Sequence, residues 1–280
     1  MKVRELFQRH AGTHVALLPN DGNCGDGLIY LGLRQLCAEY LVGFTELLYP
    51  RPSAGDTLFV LGCGNLCKPF HIQVEKIRRY LDSFRRIYLL PCSIDPSCED
   101  VAELLKSLPA QTAIFCRELY TFEKVSALVG ERVEVYTDHD LALSINCDAW
   151  MQKGCGNLNA FRTDTESLGN KLPADNIDVS LWGGSADGEM LLRTISEYRS
   201  VHTDRAHVAI CAAMLGKETH VYPNNYHKVR GIFEYSLAGR SNVFFHEFHA
   251  AQADGGNANE ASAVLEIDTH HADAEPPRVG

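Results

Sequence analysis

Val15-Ala16-Leu17-Leu18-Pro19-Asn20-Asp21-Gly22-Asn23-Cys24-Gly25-Asp26 is the stretch whose reading decides the fold. Its first four residues form a short apolar run of strand length, and a polar, glycine-bearing loop, 20–26, follows at once. Beyond that loop Ile29, Leu33, Leu36 and Tyr40 recur at helical spacing, so a helix stands behind it. A strand, a loop at its carboxyl end and a helix are the opening of a βαβ unit, and the pattern repeats along the chain. Further strands are expected at 58–61, 87–90, 113–115 and 133–136, each followed by an amphipathic stretch, which completes a doubly wound lobe over residues 1–146.

A second series begins near Asp178. Strands are expected at 179–182, 219–222 and 243–245, and helices near 189–198, 204–215 and 226–237. Between the two series, 147–176 is rich in Gly, Asn, Asp and Thr with little periodicity, so a domain boundary and an irregular crossing are expected there. The expectation is an α/β protein of two Rossmann-like lobes, 1–146 and 147–250, the second reduced. A tail, 251–280, follows that is acidic and too poor in apolar residues to order itself.

At 280 residues, with 45% hydrophobic and 22% charged side chains, the chain has material for two modest cores. The formal charge of −10 argues against a protein that coats nucleic acid, and half of it lies in the tail, where six acids face the single base Arg278. Lys2, Arg4, Glu5 and Arg9 break up the amino-terminal segment, so no secretory signal is expected, and no apolar run of about 18 residues offers a membrane span. The ten cysteines are scattered singly through apolar segments, as reduced cytoplasmic thiols are. Cys63 and Cys67 form a C-x3-C pair, but no second Cys/His pair of ligand spacing stands near it, so no metal site is expected.

Several segments carry chemistry. In Val201-His202-Thr203-Asp204-Arg205-Ala206-His207, Thr203 or Asp204 can cap the following helix, which puts Arg205 and His207 at a helix amino terminus, where backbone N–H groups and a guanidinium favour an anion. Tyr222-Pro223-Asn224-Asn225-Tyr226-His227-Lys228 follows a strand and opens the next helix, so Lys228 starts near the same sheet edge. In the first lobe, Leu61-Gly62-Cys63-Gly64-Asn65-Leu66 ends a strand in a glycine-bearing turn that lets a ligand approach the backbone. His71 follows that turn, and Arg117-Glu118 follows the strand ending at Cys116, each at a carboxyl end where open α/β sheets bind ligands.

Taken in order, these elements resemble the polysaccharide pyruvyl transferase family over residues 15–245. They are Gly22-Asn23-Cys24-Gly25-Asp26, Gly62-Cys63-Gly64-Asn65, Leu90-Pro91-Cys92-Ser93-Ile94, Arg117-Glu118-Leu119-Tyr120-Thr121, residues 138–143, Thr203-Asp204-Arg205-Ala206-His207, and 224–228. The resemblance implies a fold like the two-domain glycosyltransferases named GT-B, with phosphoenolpyruvate and a saccharide acceptor as partners and no cofactor. It carries the family's anion-binding arginines onto Arg117 and Arg205, with Lys228, Gly64 and Asn65 beside the donor, and its histidines onto His207 and His71. Asn23 and Asp26 fall in the loop facing the acceptor. The sequence departs from the family where Cys63 replaces the middle glycine of a Gly-Gly-Gly-Asn turn and Cys67-Lys68 replaces a Gly-Asp.

The chemistry so implied needs fixed cations for a carboxylate and a phosphate, and one acid to protonate the methylene carbon. His207 or His71 is that acid, since imidazole titrates near working pH. The acceptor is a polysaccharide repeat or its lipid-linked precursor, and the latter would bring a cytoplasmic protein to the inner face of the membrane. Two other readings stay open: a glycosyltransferase using a nucleotide-sugar on the same fold, and a catalytically silent carbohydrate-binding or assembly protein.

Overall fold

The structure is a computed structural model that describes residues 1–69, 73–169, 171–184 and 187–247. Contacts divide the chain into two compact units, one of which contains Met1–Asn146 and the other Cys147–Gly184 with the described residues from Glu189 onward.

The first unit opens with helix α1 (Val3–Arg9) and strand β1 (His14–Leu18), then α2 (Cys24–Tyr40), β2 (Gly43–Glu46), β3 (Gly55–Val60) and α3 (Gln73–Arg78). It continues with β4 (Phe84–Cys92), α4 (Glu99–Ser107), β5 (Thr112–Cys116), α5 (Leu119–Val129) and β6 (Glu134–Thr137). The six strands form one parallel sheet in the order β2-β1-β3-β4-β5-β6. Both faces are covered, as the alternation of side chains along β3 shows. Leu58 and Val60 join a core with α3, α4 and α5, whereas Phe59 joins the opposite core with α1 and α2. Each fully buried Leu, Ile or Phe in these cores contributes about 1.5–3 kcal/mol relative to exposure. Pro91 lacks a ladder N–H, and the β4–β5 register shifts between Leu89 and Cys92 where it sits.

Strand β2 is one element that the sequence does not announce: Gly43-Phe44-Thr45-Glu46 is short, half exposed and lies at the sheet edge, so it lacks an apolar signature. Its position matters for function. The chain leaves β1 toward β2 on one side and leaves β3 toward β4 on the other, so the strand order reverses between β1 and β3. Such a reversal opens a crevice outside the carboxyl ends of the two strands, the usual ligand position in open α/β sheets.

The second unit holds β7 (Asn157–Asn159), β8 (Ser200–Thr203), β9 (Glu218–Val221) and β10 (Val243–Phe245) in one parallel sheet, order β10-β9-β8-β7. Helices α6 (Gly188–Ser196), α7 (Ala206–Met214) and α8 (Lys228–Ile232) make the connections, α8 running into a π-helical turn at Phe233–Leu237. The strand order is monotonic, so right-handed crossovers put all three helices on one face of this sheet. Leu158, Val201, Thr219 and Val243 are buried on that face. The opposite face carries the in-register row Asn159, His202, His220 and Phe244, the last of them 45% exposed.

Two sequence expectations are corrected here. Residues 179–182 are not a strand but part of a 3-10 helix, Val179–Gly184. The cause is Asp178, whose carboxylate accepts from the Thr163 N–H (2.9 Å) and from Arg205, while Leu181 N–H closes a turn onto the Asp178 carbonyl. The connection 147–176, expected to be irregular, instead supplies the edge strand β7. The ten cysteines form no disulfide, and eight of them are buried.

Candidate functional site

In the first unit the structure brings together Asn23, Asp26, Gly64 and Asn65 at the β1/β3 reversal. Asn23 caps α2: its Oδ1 accepts from Gly25 N–H at 2.8 Å, while its own N–H donates to Asp26 Oδ2 at 3.0 Å, a reciprocal capping box. Asn20 Nδ2 donates to the other Asp26 oxygen at 2.9 Å, and Asn65 Nδ2 reaches Asn20 Oδ1 at 2.5 Å and the Asp21 carbonyl at 3.1 Å. The loop after β1 and the turn after β3 are thus tied by side-chain amides, which also present polar edges suited to hydroxyl groups.

Gly62 permits that turn. A Cβ there would lie 2.0 Å from the Pro91 carbonyl oxygen and 2.5 Å from that of Leu90, so any side chain would push the β3 turn off β4. Cys63, the departure from the family turn, points inward, and its Sγ accepts from Asn65 N–H at 3.1 Å. The thiol takes part in shaping the turn that holds Asn65.

Arg117, also in this unit, is only 1% exposed. Its Nε donates to Ser93 Oγ at 2.9 Å and its Nη1 to Asp140 Oδ2 at 2.6 Å, and Asp140 in turn caps the turn Leu141–Ser144. The guanidinium ties the ends of β4 and β5 to that turn. His71 lies outside the described residues.

In the second unit, α7 begins directly at the carboxyl end of β8. Arg205 occupies its N-cap position, and its side chain makes no capping hydrogen bond. Thr203, expected as a cap, instead accepts from Arg205 N–H at 3.0 Å and donates to the Ala160 carbonyl at 2.7 Å. His207, in the first turn, is half-buried. Lys228 opens α8 after the neighbouring strand β9, so both helices start at the same edge of the sheet.

Behind that edge runs a buried line of alternating charge that sequence reasoning missed. Arg205 Nη2 donates to Asp178 Oδ2 at 2.5 Å and to Asp164 Oδ2 at 2.9 Å. Its Nε lies 2.5 Å from Asp178 Oδ1 but off the N–H direction, so that approach is a charge contact rather than a hydrogen bond. Arg162 pairs with Asp164 through Nε (2.7 Å) and Nη2 (3.0 Å) and with Glu166 through Nη1. Glu166 then meets the Lys228 ammonium at 2.8 and 3.1 Å. The order is Asp178, Arg205, Asp164, Arg162, Glu166, Lys228.

Burial works to raise the carboxyls of Asp164 and Glu166, but the cations outweigh it. Hydrogen bonds from Arg162 and the charges of Arg162 and Arg205 hold Asp164 well below the usual carboxylate range, and Lys228 and Arg162 depress Glu166. Asp204 behaves oppositely. Burial pushes its carboxyl up to about 7, even though its Oδ1 accepts from Arg162 N–H at 2.8 Å. The signal in the sequence was the alternation Arg162-Thr163-Asp164-Thr165-Glu166, three charges at spacing two inside a stretch read as a linker.

On the opposite face of the same sheet, His202 and His220 stack at 4.3 Å, His220 Nδ1 lies 2.8 Å from His246 Nε2, and Tyr222 stacks on His246 at 4.9 Å. Burial, then the neighbouring His220 and His246, push the His202 imidazole down to about 4. Among the described residues no cluster of His, Cys, Asp and Glu is arranged to hold a metal ion, and no helix is long and apolar enough to cross a membrane.

Two parallel sheets with polar loops at their carboxyl edges define a two-lobed α/β protein of Rossmann-like build, the second lobe reduced to four strands. The model of the family "Polysaccharide pyruvyl transferase" matches residues 23–226, and the chain belongs to that family, whose activity is pyruvyl transfer. The fold is similar to the crystal structure of a functionally uncharacterized protein from Klebsiella pneumoniae subsp. pneumoniae NTUH-K2044. The TM-score is 0.74 at 24% identity, over 87% of this chain and 96% of that one. No curated protein matches the sequence.

Proposed function

We propose that the chain transfers the pyruvyl group of phosphoenolpyruvate onto two hydroxyls of a saccharide, closing a cyclic ketal on an exopolysaccharide or its lipid-linked precursor. The observation that carries this reading is the amino end of α7. It begins at the carboxyl end of β8 with the Arg205 side chain turned away from the capping position, carries His207 in its first turn, and shares its sheet edge with Lys228. First-turn amides and an ammonium suit a carboxylate or phosphate group.

On this reading Lys228 and the α7 amides hold the donor, Arg205 fixes the helix start from beneath, and Arg117 keeps the first-lobe edge in shape. His207 gives its proton to the methylene carbon. The resulting oxocarbenium-like C2 is attacked by one hydroxyl, whose proton returns to the His207 imidazole. The C2–O bond to phosphate then breaks, and a second hydroxyl bonds to C2 and closes the ring, its proton leaving on the inorganic phosphate. The amide-rich edge around Asn20, Asn65 and Asp26 suits the saccharide. A lipid-linked acceptor would bring the protein to a membrane surface through its substrate.

The test is incubation with phosphoenolpyruvate and a panel of saccharides, read by phosphate release and by mass spectrometry of the sugar. Phosphate release with a pyruvyl-sized mass gain is expected. Turnover of nucleotide-sugars with nucleotide release, or binding of saccharide without turnover of either donor, would overturn the proposal.

A further inference from the structure

Glu166 is the most enclosed carboxylate of the buried charge line, 2% exposed, and four side chains from two separate loops converge on it. Lys228 contacts both its oxygens, Tyr226 Oη donates to Oε1 at 3.0 Å, Arg162 pairs with Oε2, and Asn224 Nδ2 approaches Oε2 at 3.5 Å. The backbone joins in. Asn225 N–H donates to the Glu166 carbonyl at 3.2 Å, and Asn225 Nδ2 to that of Thr165 at 2.9 Å.

These contacts span β8: the 162–166 loop follows β7 and the 224–228 segment follows β9, strands that are not neighbours in the sheet. A carboxylate gathered from both sides therefore sets where the second segment lies. Lysine is the residue for which this matters most, because its ammonium is a point charge on a flexible four-carbon stem with no geometry of its own. Here the ammonium is held by both carboxylate oxygens and stands 5.0 Å from the centre of the Tyr226 ring.

Among the cations of the line Lys228 is the most accessible, its side chain at 12% against 5% for each arginine, while Asp164 between the arginines is 24% accessible. An anion arriving at Lys228 continues the alternation of sign. We propose that Glu166 is a positioning residue for anion binding. Its carboxylate, itself fixed by Arg162, holds the Lys228 ammonium where the anionic group of the donor is received. The inference rests on the donor-site reading above, and it assigns Glu166 no contact with the reacting atoms.

A double-mutant cycle on the full chain tests it. Phosphoenolpyruvate and, separately, inorganic phosphate are titrated by calorimetry into the unmodified protein, Glu166→Gln, Lys228→Gln and the double variant, with a thermal melt of each. If Glu166 acts through Lys228, each single change weakens binding by roughly tenfold, and the double is within about twofold of Lys228→Gln alone, because contacting residues are not additive. Glu166→Asp, which keeps the charge but shortens the reach, should recover part of the loss, and it carries the cycle if the glutamine variant does not fold. Single losses that multiply, or a lowered melting point with unchanged affinity, would overturn the proposal and leave Glu166 a purely structural carboxylate. Phosphate binding with this pattern but no phosphoenolpyruvate binding sinks the donor assignment and leaves the positioning role standing. An unmodified protein that binds neither anion overturns both.

Discussion

Arg205 shows how much one residue's role depends on what surrounds it. A guanidinium at a helix amino terminus suggests a ligand-binding fork, yet its donors are turned onto Asp164 and Asp178. Arg205→Lys keeps the charge but cannot serve both carboxylates from a point donor, so one acid loses its Arg205 contact and is left with Arg162 or Thr163 alone. The expected cost is about 1–3 kcal/mol of stability, measured by chemical denaturation, with weaker donor binding as the α7 start loosens. His207 is the contrasting case, because it stands in the first turn of α7 and is not one of the six charges of the line. If it is the acid, His207→Gln lowers turnover by about 10²- to 10⁴-fold while the donor KM changes little. A raised KM with unchanged kcat would instead make it an anion ligand.

At the scale of elements, the second sheet is wound in one direction, and histidines from β8 and β9 stack on the face opposite Val201 and Thr219. His202 ordinarily titrates near 6.5 and is held at about 4, so the unfolded chain takes up its proton first as pH falls. Its contribution to stability is complete above about 6.5 and is lost between there and 4, by an amount on the order of 3 kcal/mol. His202→Gln should therefore flatten the fall in unfolding free energy across that window, measured by denaturant titration at a series of pH values. Asp204, with its carboxyl raised to about 7, works in the opposite sense, since its neutral form is favoured in the fold. The variant must accordingly be compared with the unmodified protein at each pH. A slope equal in both would mean that the stacked imidazoles do not carry the dependence.

For the whole molecule, charge is distributed unevenly along the chain. Half of the formal −10 lies in residues 251–280, a composition with too few apolar side chains to build a core. Removing them should leave the melting temperature and turnover of the remainder within error, while the isoelectric point rises. Loss of folded, active protein on truncation would show that the segment contributes to one of the lobes. The two units also differ in build. The first sheet has cores on both faces and a reversal of strand order, whereas the second runs in one direction.

Much of this was legible without coordinates. The apolar run at 15–18, the spacing of Ile29, Leu33 and Leu36, and the glycine turn at 62–65 are local patterns, and helical or strand periodicity is set by nearest neighbours. The family motifs are local too, which is why membership could be read before the fold was known. Residues 179–182 were misread because an apolar quartet looks alike in a strand and in a turn, and only the tie from Asp178 to Arg205, 27 residues away, separates the two. The same holds for Arg162, Asp164 and Glu166, which in sequence are a polar linker. Their meaning comes from Lys228, 62 residues further on, and from Arg205, 41 residues from Asp164. The sequence by itself determined the βαβ repeat, the two lobes and the candidate edge residues. Only the tertiary structure decided strand order, which histidines stack together, and which cations are already paired. Those features depend on groups far apart in the chain being brought within hydrogen-bond reach, and no local pattern encodes that approach.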